Sequence, residues 1–390
     1  MIRHPMFLKI CILVGLVMAP SFGFAEQKNW NAQMSEMAKS LAKLLPIIFD
    51  DEKSLDAEAR KVLKEELKSL QLASQNMRSQ TGKHGSKVQD RIGNDPALEY
   101  MAKEFGTQID IASDNLANGE VDFARLALRP AISYCISCHT RSSQGPSFPT
   151  SPFQDSIAKL KSTERMAVYT ATRQYDLALK EYGNVLRDAK GAPLKIEKAT
   201  RMALAVSVRA QENPKDALRI LDQVSTAPGL LKSTERLIKA WRQSVAEWMA
   251  EKEQDPQAAP FERARNLIRK AESSKLYLAD GAGDINYLRA TSILHDLLRK
   301  ETTGLTRAEI EFALGKSYEV IRDLGFWDLH ETYFEACVRD APHTPIAKQC
   351  FERFEESVVL GYSGTAGTFI PSLVSKKISE LKTLSEIKKK

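Results

Sequence analysis

Apolar residues recur every three or four positions along most of this 390-residue chain, and no stretch alternates with the period of two that a strand needs. The expected fold is therefore all-α. The first run spans 31–49, with Met34, Met37, Leu41, Leu44, Leu45 and Ile48 on one face. The second covers 55–79 and carries Val62, Leu63, Leu67, Leu70 and Met77. Gly82, Gly85 and Gly93 mark a loop. Asp95-Pro96 then gives an N-cap and a proline at the first helical position, with Leu98, Met101, Phe105, Ile109, Ala112 and Leu116 as the stripe. Asn118-Gly119 closes that helix. A fourth begins near Glu120 and places Val121, Ala124, Leu128, Ile132, Cys135 and His139 at spacings of three and four. Short loops favour up-down-up-down packing into a four-helix bundle, with the late part of the fourth helix beside the early part of the first.

A Ser/Pro/Gly-rich stretch, SSQGPSFPTSPF (142–153), interrupts the pattern, and the chain beyond it has a different character. The segment KSTER occurs at Lys161 and again at Lys232, about two 34-residue helical hairpins apart. Tyr169, Ala178 and Tyr182 follow the tetratricopeptide pattern, and Ala217 and Leu221 occupy corresponding places. Leu314-Gly315-x-x-Tyr318 matches part of the signature, with Ala336 and Pro342 behind it, although Glu311 stands where tryptophan is common. These are degenerate repeats, expected to stack as an α-solenoid.

Residues 1–25 change the compartment. Arg3 and Lys9 precede an apolar run over 10–19, and Gly23-Phe24-Ala25 offers a cleavage site, the pattern of a secretory signal. The expected location is the periplasm, with no membrane span after cleavage. The net charge of +6, two units of it in the leader, does not suggest nucleic acid, and Lys388–Lys390 reads as a solvated tail. The expected organisation is a leader over 1–25, a bundle over 26–145, a linker over 146–155, helical repeats over 156–375 and a basic tail over 376–390.

The chemistry sits at RPAISYCISCHTRSS (129–143). Only five cysteines and six histidines exist in the chain, yet Cys135, Cys138 and His139 form Cys-x-x-Cys-His, the spacing of covalent haem attachment. The cysteines would bond to the vinyl-derived carbons of one haem c, and His139 would be the proximal iron ligand. A thioredoxin-like motif expects a βαβ setting and a zinc site expects four ligands; neither accompanies these residues. Met37, and after it Met34, are the candidate distal ligands; His84 is a third, in the glycine-rich loop.

LALRPAISYCISCH resembles the haem-binding helix of the class II c-type cytochromes, the cytochrome c prime and cytochrome c-556 group, and the resemblance covers residues 26–145. It implies a four-helix bundle binding one haem through Cys135, Cys138 and His139. In low-spin members a methionine of the first helix, here Met34 or Met37, completes the iron. High-spin members leave that face open to small gases. A class I cytochrome would place its motif near the domain's start, unlike this one. The expected function is electron transfer, not enzymatic catalysis, with a redox partner protein docked on the repeats. The alternative is a haem-based gas sensor. Cys337 and Cys350, flanking the turn at 340–344, are candidates for a disulfide; two small buried apolar residues are the other reading.

Overall fold

In the computed structural model the described residues are 22–49, 55–81, 95–143, 145, 147–150, 153–251, 259–277, 280–300, 303–321 and 328–388. Residues 1–21 of the expected leader (1–25) and the glycine-rich loop with His84 lie outside them. Of the described residues 79% are helical, in line with the periodicity. The first part comprises α1 (Phe22–Ile48), α2 (Ala57–Thr81), α3 (Pro96–Ala117), α4 (Val121–Leu128) and α5 (Ala131–His139). Asp95 caps α3 by accepting from the Ala97 N–H at 3.0 Å. The expected fourth helix is divided in two. Pro130 has no N–H to donate and its ring crowds the preceding turn, so α4 stops at Leu128 and α5 starts afresh.

α1 packs on α2, α2 on α3, and α3 on both α4 and α5. Met37, Leu44, Ile48, Leu63, Leu67, Phe105, Ile109 and Leu128 form their shared core. Arg125 Nε donates to Ile47 O at 2.9 Å, and Arg129 Nε to Ile48 O at 3.1 Å. Both carbonyls are orphans at the end of α1. These bonds seat the start of the divided helix against the end of α1, which leaves α5 to face the early turns of α1.

The chain continues through α6 (Gln154–Ala158), α7 (Ser162–Ala171), α8 (Tyr175–Asp188), α9 (Pro193–Leu204), α10 (Pro214–Ser225), α11 (Lys232–Ala250), α12 (Pro260–Ser273), α13 (Asp284–Arg299), α14 (Gly304–Tyr318), α15 (Leu329–Asp340), α16 (Pro345–Gly361) and α17 (Ser372–Ser385). Between α16 and α17 a two-residue ladder pairs Ser363 with Thr368. Proline opens α9, α10, α12 and α16, where its fixed φ costs nothing. Each helix from α8 to α11, and again from α13 to α17, packs on its predecessor. Ala178, Tyr182, Ala217, Leu221 and Leu314 are all buried. At Gly315 an added Cβ would stand 2.4 Å from the Phe334 ring, so only glycine lets α14 and α15 approach this closely. Ala336, by contrast, is only half-buried.

The core runs unbroken across the Ser/Pro/Gly-rich stretch. Leu45, Ala97, Ile132 and Ile136 share one apolar cluster with Tyr169, Tyr182, Leu294 and Tyr333. A second cluster at the far end holds Phe334, Phe351, Phe354 and the joined pair Cys337–Cys350, whose Cα atoms lie 6.2 Å apart. That separation suits a disulfide between antiparallel helices. With a sequence separation of 13 residues, the bond stabilises the fold by roughly 3 kcal/mol on chain entropy. Urea unfolding with and without reductant should differ by about that amount, and non-reducing peptide mapping should recover the crosslinked peptide. Equal midpoints and two free thiols would contradict the pairing.

Candidate functional site

α5 carries Cys135, Cys138 and His139 within one and a half turns, and all three line a cavity of about 680 Å³. Small-molecule and cofactor sites span roughly 300–1,000 Å³. Across it α1 contributes Met34 and Met37, α2 Met77, and α3 Met101 and Phe105. Among the described residues, the structure thus brings every sequence-derived site residue into one chamber. It adds two methionines, Met77 and Met101, that the sequence shows only as members of apolar stripes.

His139 is held from two sides. Its Nδ1 lies 2.5 Å from Ala171 O, an orphan carbonyl at the end of α7. A carbonyl can only accept, so Nδ1 carries the hydrogen and Nε2 keeps its lone pair. That is the arrangement a metal-ligating imidazole requires, its other nitrogen fixed by an outer partner. Burial pushes the His139 pKa down to about 4, so the ring is neutral and able to ligate at physiological pH. Phe148 stacks on it with ring centres 5.6 Å apart.

The end of α5 is clasped in return. The His139 carbonyl accepts from Arg173 Nη1 at 2.8 Å and from Tyr175 Oη at 2.7 Å. Arg173 also donates to Ser142 O at 3.1 Å. To do this Arg173 adopts φ of 58°, a left-handed conformation that costs a non-glycine residue energy. Phe148 is fixed by its N–H to Thr172 O and by Gln174 Nε2 to its carbonyl, both at 2.8 Å.

Cys135 and Cys138 are not joined to each other. Burial pushes the Cys135 thiol up to about 12, and Cys138 also rises, eased by the nearby Arg141 and Arg173 charges. A dithiol redox centre needs the opposite, a lowered thiol pKa. Among the described residues no three His, Cys, Asp or Glu side chains converge as metal ligands. A pair of neutral thiols beside one neutral imidazole in an apolar chamber fits a macrocycle bound through carbon and a single iron ligand.

Beneath the chamber lies a buried polar network that sequence reasoning missed. Asp95 accepts from Arg141 Nη1 at 2.8 Å and from Tyr333 Oη at 2.9 Å, and His295 Nδ1 stands 3.2 Å from it. Arg141 packs over the rings of Tyr318 and Tyr333, which stack on each other. Arg209, fully buried in a π-helical turn that extends α9 (205–210), donates to Thr140 O at 2.9 Å and to Thr140 Oγ1 at 2.7 Å. The carbonyl and side chain directly after His139 are therefore fixed from the end of α9. Asp95 is legible as an N-cap; its burial among Arg141, His295 and Tyr333 is not, because those residues come from distant segments.

The chain matches no protein-family model, no curated protein and no solved structure.

Proposed function

We propose that the protein is a periplasmic mono-haem c-type cytochrome that transfers electrons. One haem c is held by thioethers to Cys135 and Cys138, with His139 as proximal ligand. The observation that carries this reading is the single chamber in which both thiols meet an imidazole whose Nδ1 is committed to Ala171 O, leaving Nε2 for iron. Bound there, the haem would supply one-electron exchange at a covalently fixed centre. The protein's own residues supply the rest. Ala171 and Phe148 fix the imidazole plane, the methionines and Phe105 exclude water, and a methionine sulfur would serve as the second protein ligand to iron. On this reading the first five helices are a cytochrome bundle, its fourth helix broken at Pro130. The helices from α7 onward are a tetratricopeptide-like solenoid that presents a docking surface to a redox partner protein. Four cavity methionines favour a filled distal position over an open, gas-binding one.

Chain produced with working haem-attachment machinery should show the mass of one haem adduct and a sharp low-spin ferrous alpha band. Substituting each of Met34, Met37, Met77 and Met101 by leucine in turn should abolish the near-infrared band of His/Met haem in one variant only. We expect that variant to be Met37→Leu, since Met37 is buried at the chamber wall while Met34 is half-buried. An unmodified mass would end the cytochrome reading. A high-spin wild type that binds carbon monoxide would transfer it to the gas-sensing alternative.

A further inference from the structure

The charged groups lining the chamber are three arginines, Arg141, Arg173 and Arg299, against one carboxylate, Asp95. Two of the three already face a carboxylate, Arg141 that of Asp95 and Arg299 that of Asp296, so what bears on an occupant is the guanidinium N–H groups left over. Arg173 is engaged by the two carbonyls it clasps. Arg141 and Arg299 differ. The Arg141 side chain is only 5% exposed and gives Nη1 to Asp95 and Tyr333, while its Nε and Nη2 are buried without an acceptor. Arg299, the last residue of α13, pairs through Nη2 with Asp296, and its Nε is likewise buried without an acceptor. A buried guanidinium N–H left unpaired is costly, and carboxylate is the group its fork matches best.

We infer that Arg141 and Arg299 form a carboxylate-binding subsite that takes the two propionates of the haem, so that the repeat region completes the cofactor site rather than only docking partners. This rests on the proposed haem. The donors without acceptors, Arg141 Nε and Nη2 and Arg299 Nε, are those a pair of carboxylates would take up, and Arg299 belongs to a helix far along the chain from the haem motif.

Redox titration of the haem-loaded chain tests it. Removing a positive charge beside the haem favours the oxidised state. Arg299→Gln should therefore lower the midpoint potential by about tenfold in the oxidised-to-reduced ratio, ~59 mV for a one-electron couple. It should also move the pH-dependent step of the potential upward, because a propionate without its cation takes a proton more readily. Arg299→Lys should keep most of the wild-type potential. Arg265→Gln, at an exposed arginine on α12, should change nothing. A haem-loaded Arg299→Gln chain with the wild-type potential and pH profile overturns the inference and leaves the cytochrome reading standing; a wild-type chain without haem overturns both. A second measurement does not depend on Arg299 variants folding. The Cys135→Ala, Cys138→Ala chain should bind added haemin at least about tenfold more tightly than haemin dimethyl ester, which lacks the free carboxylates, the least that a hydrogen bond to a charged group is worth. Equal affinity for the two overturns the proposal.

Discussion

Asp95→Ala should lose about 3–5 kcal/mol of folding stability, the cost of breaking a buried ion pair by removing one partner. The substitution leaves Arg141 over two stacked tyrosine rings with no carboxylate, takes the acceptor from the Tyr333 hydroxyl, and removes the α3 cap as well. Asp95→Asn separates these effects, since the amide can keep the cap and a hydrogen bond while abandoning the charge. Urea denaturation of the haem-free chain is the measurement, and a loss below about 1 kcal/mol, the worth of the cap alone, would show that the network is not a keystone.

The same network gives the fold a pH dependence with a definite sign. Arg141, His295 and Tyr333 hold the Asp95 carboxyl well below the usual carboxylate range, against the burial that raises it. A lowered carboxylate pKa contributes stability above the unfolded value near 3.9 and loses it as pH falls through that region. Burial, with Arg141 and Arg209 nearby, lowers His295 to about 4, and His139 is also lowered to about 4. Both would take up protons in the unfolded chain below about 6.5. Their contribution is complete above that pH and drains away between about 6.5 and 4. The haem-free chain should thus be most stable near neutrality and weaken in two stages on acidification. Asp95→Asn should remove the lower stage and deepen the upper one, because the Asp95 carboxylate partly offsets the lowering of His295.

The second large effect is all-or-none. Cys135→Ala with Cys138→Ala should abolish the covalent haem adduct completely, while each single variant keeps one thioether and a shifted alpha band. Mass spectrometry under denaturing conditions reads this directly. The fold should survive, because both side chains line a cavity and are only half-buried, so truncation removes little packing. An adduct that persists in the double variant would place the attachment elsewhere.

Local signals are readable in the sequence and distant ones are not. The Cys-x-x-Cys-His spacing, the Asp95-Pro96 helix start and the apolar stripes depend on neighbours within a turn or two, so Cys135, Cys138, His139, Met34 and Met37 can all be named from the chain alone. Pro130 is visible there, yet the stripe of Val121 to His139 continues across it and masks the break. Met77 and Met101 look like ordinary core residues. The Ala171 carbonyl, Arg173, His295, Arg299 and Tyr333 reach the site only through tertiary packing, and no spacing rule points to them. The Ser/Pro/Gly-rich stretch looks like a boundary by composition; in the fold, the residues after it hold His139 in place.

That last arrangement bears on how the protein can be divided. The hydrogen bond that sets the His139 tautomer comes from residue 171, the clasp on its carbonyl from residues 173 and 175, and the brace behind Thr140 from residue 209. A fragment ending at residue 155 would contain Cys135, Cys138, His139 and the stacked Phe148, but none of the hydrogen-bonding groups that orient His139. The two regions share one apolar core, and transplanting residues 26–145 alone into another protein would carry over the motif without the hydrogen bonds that orient His139.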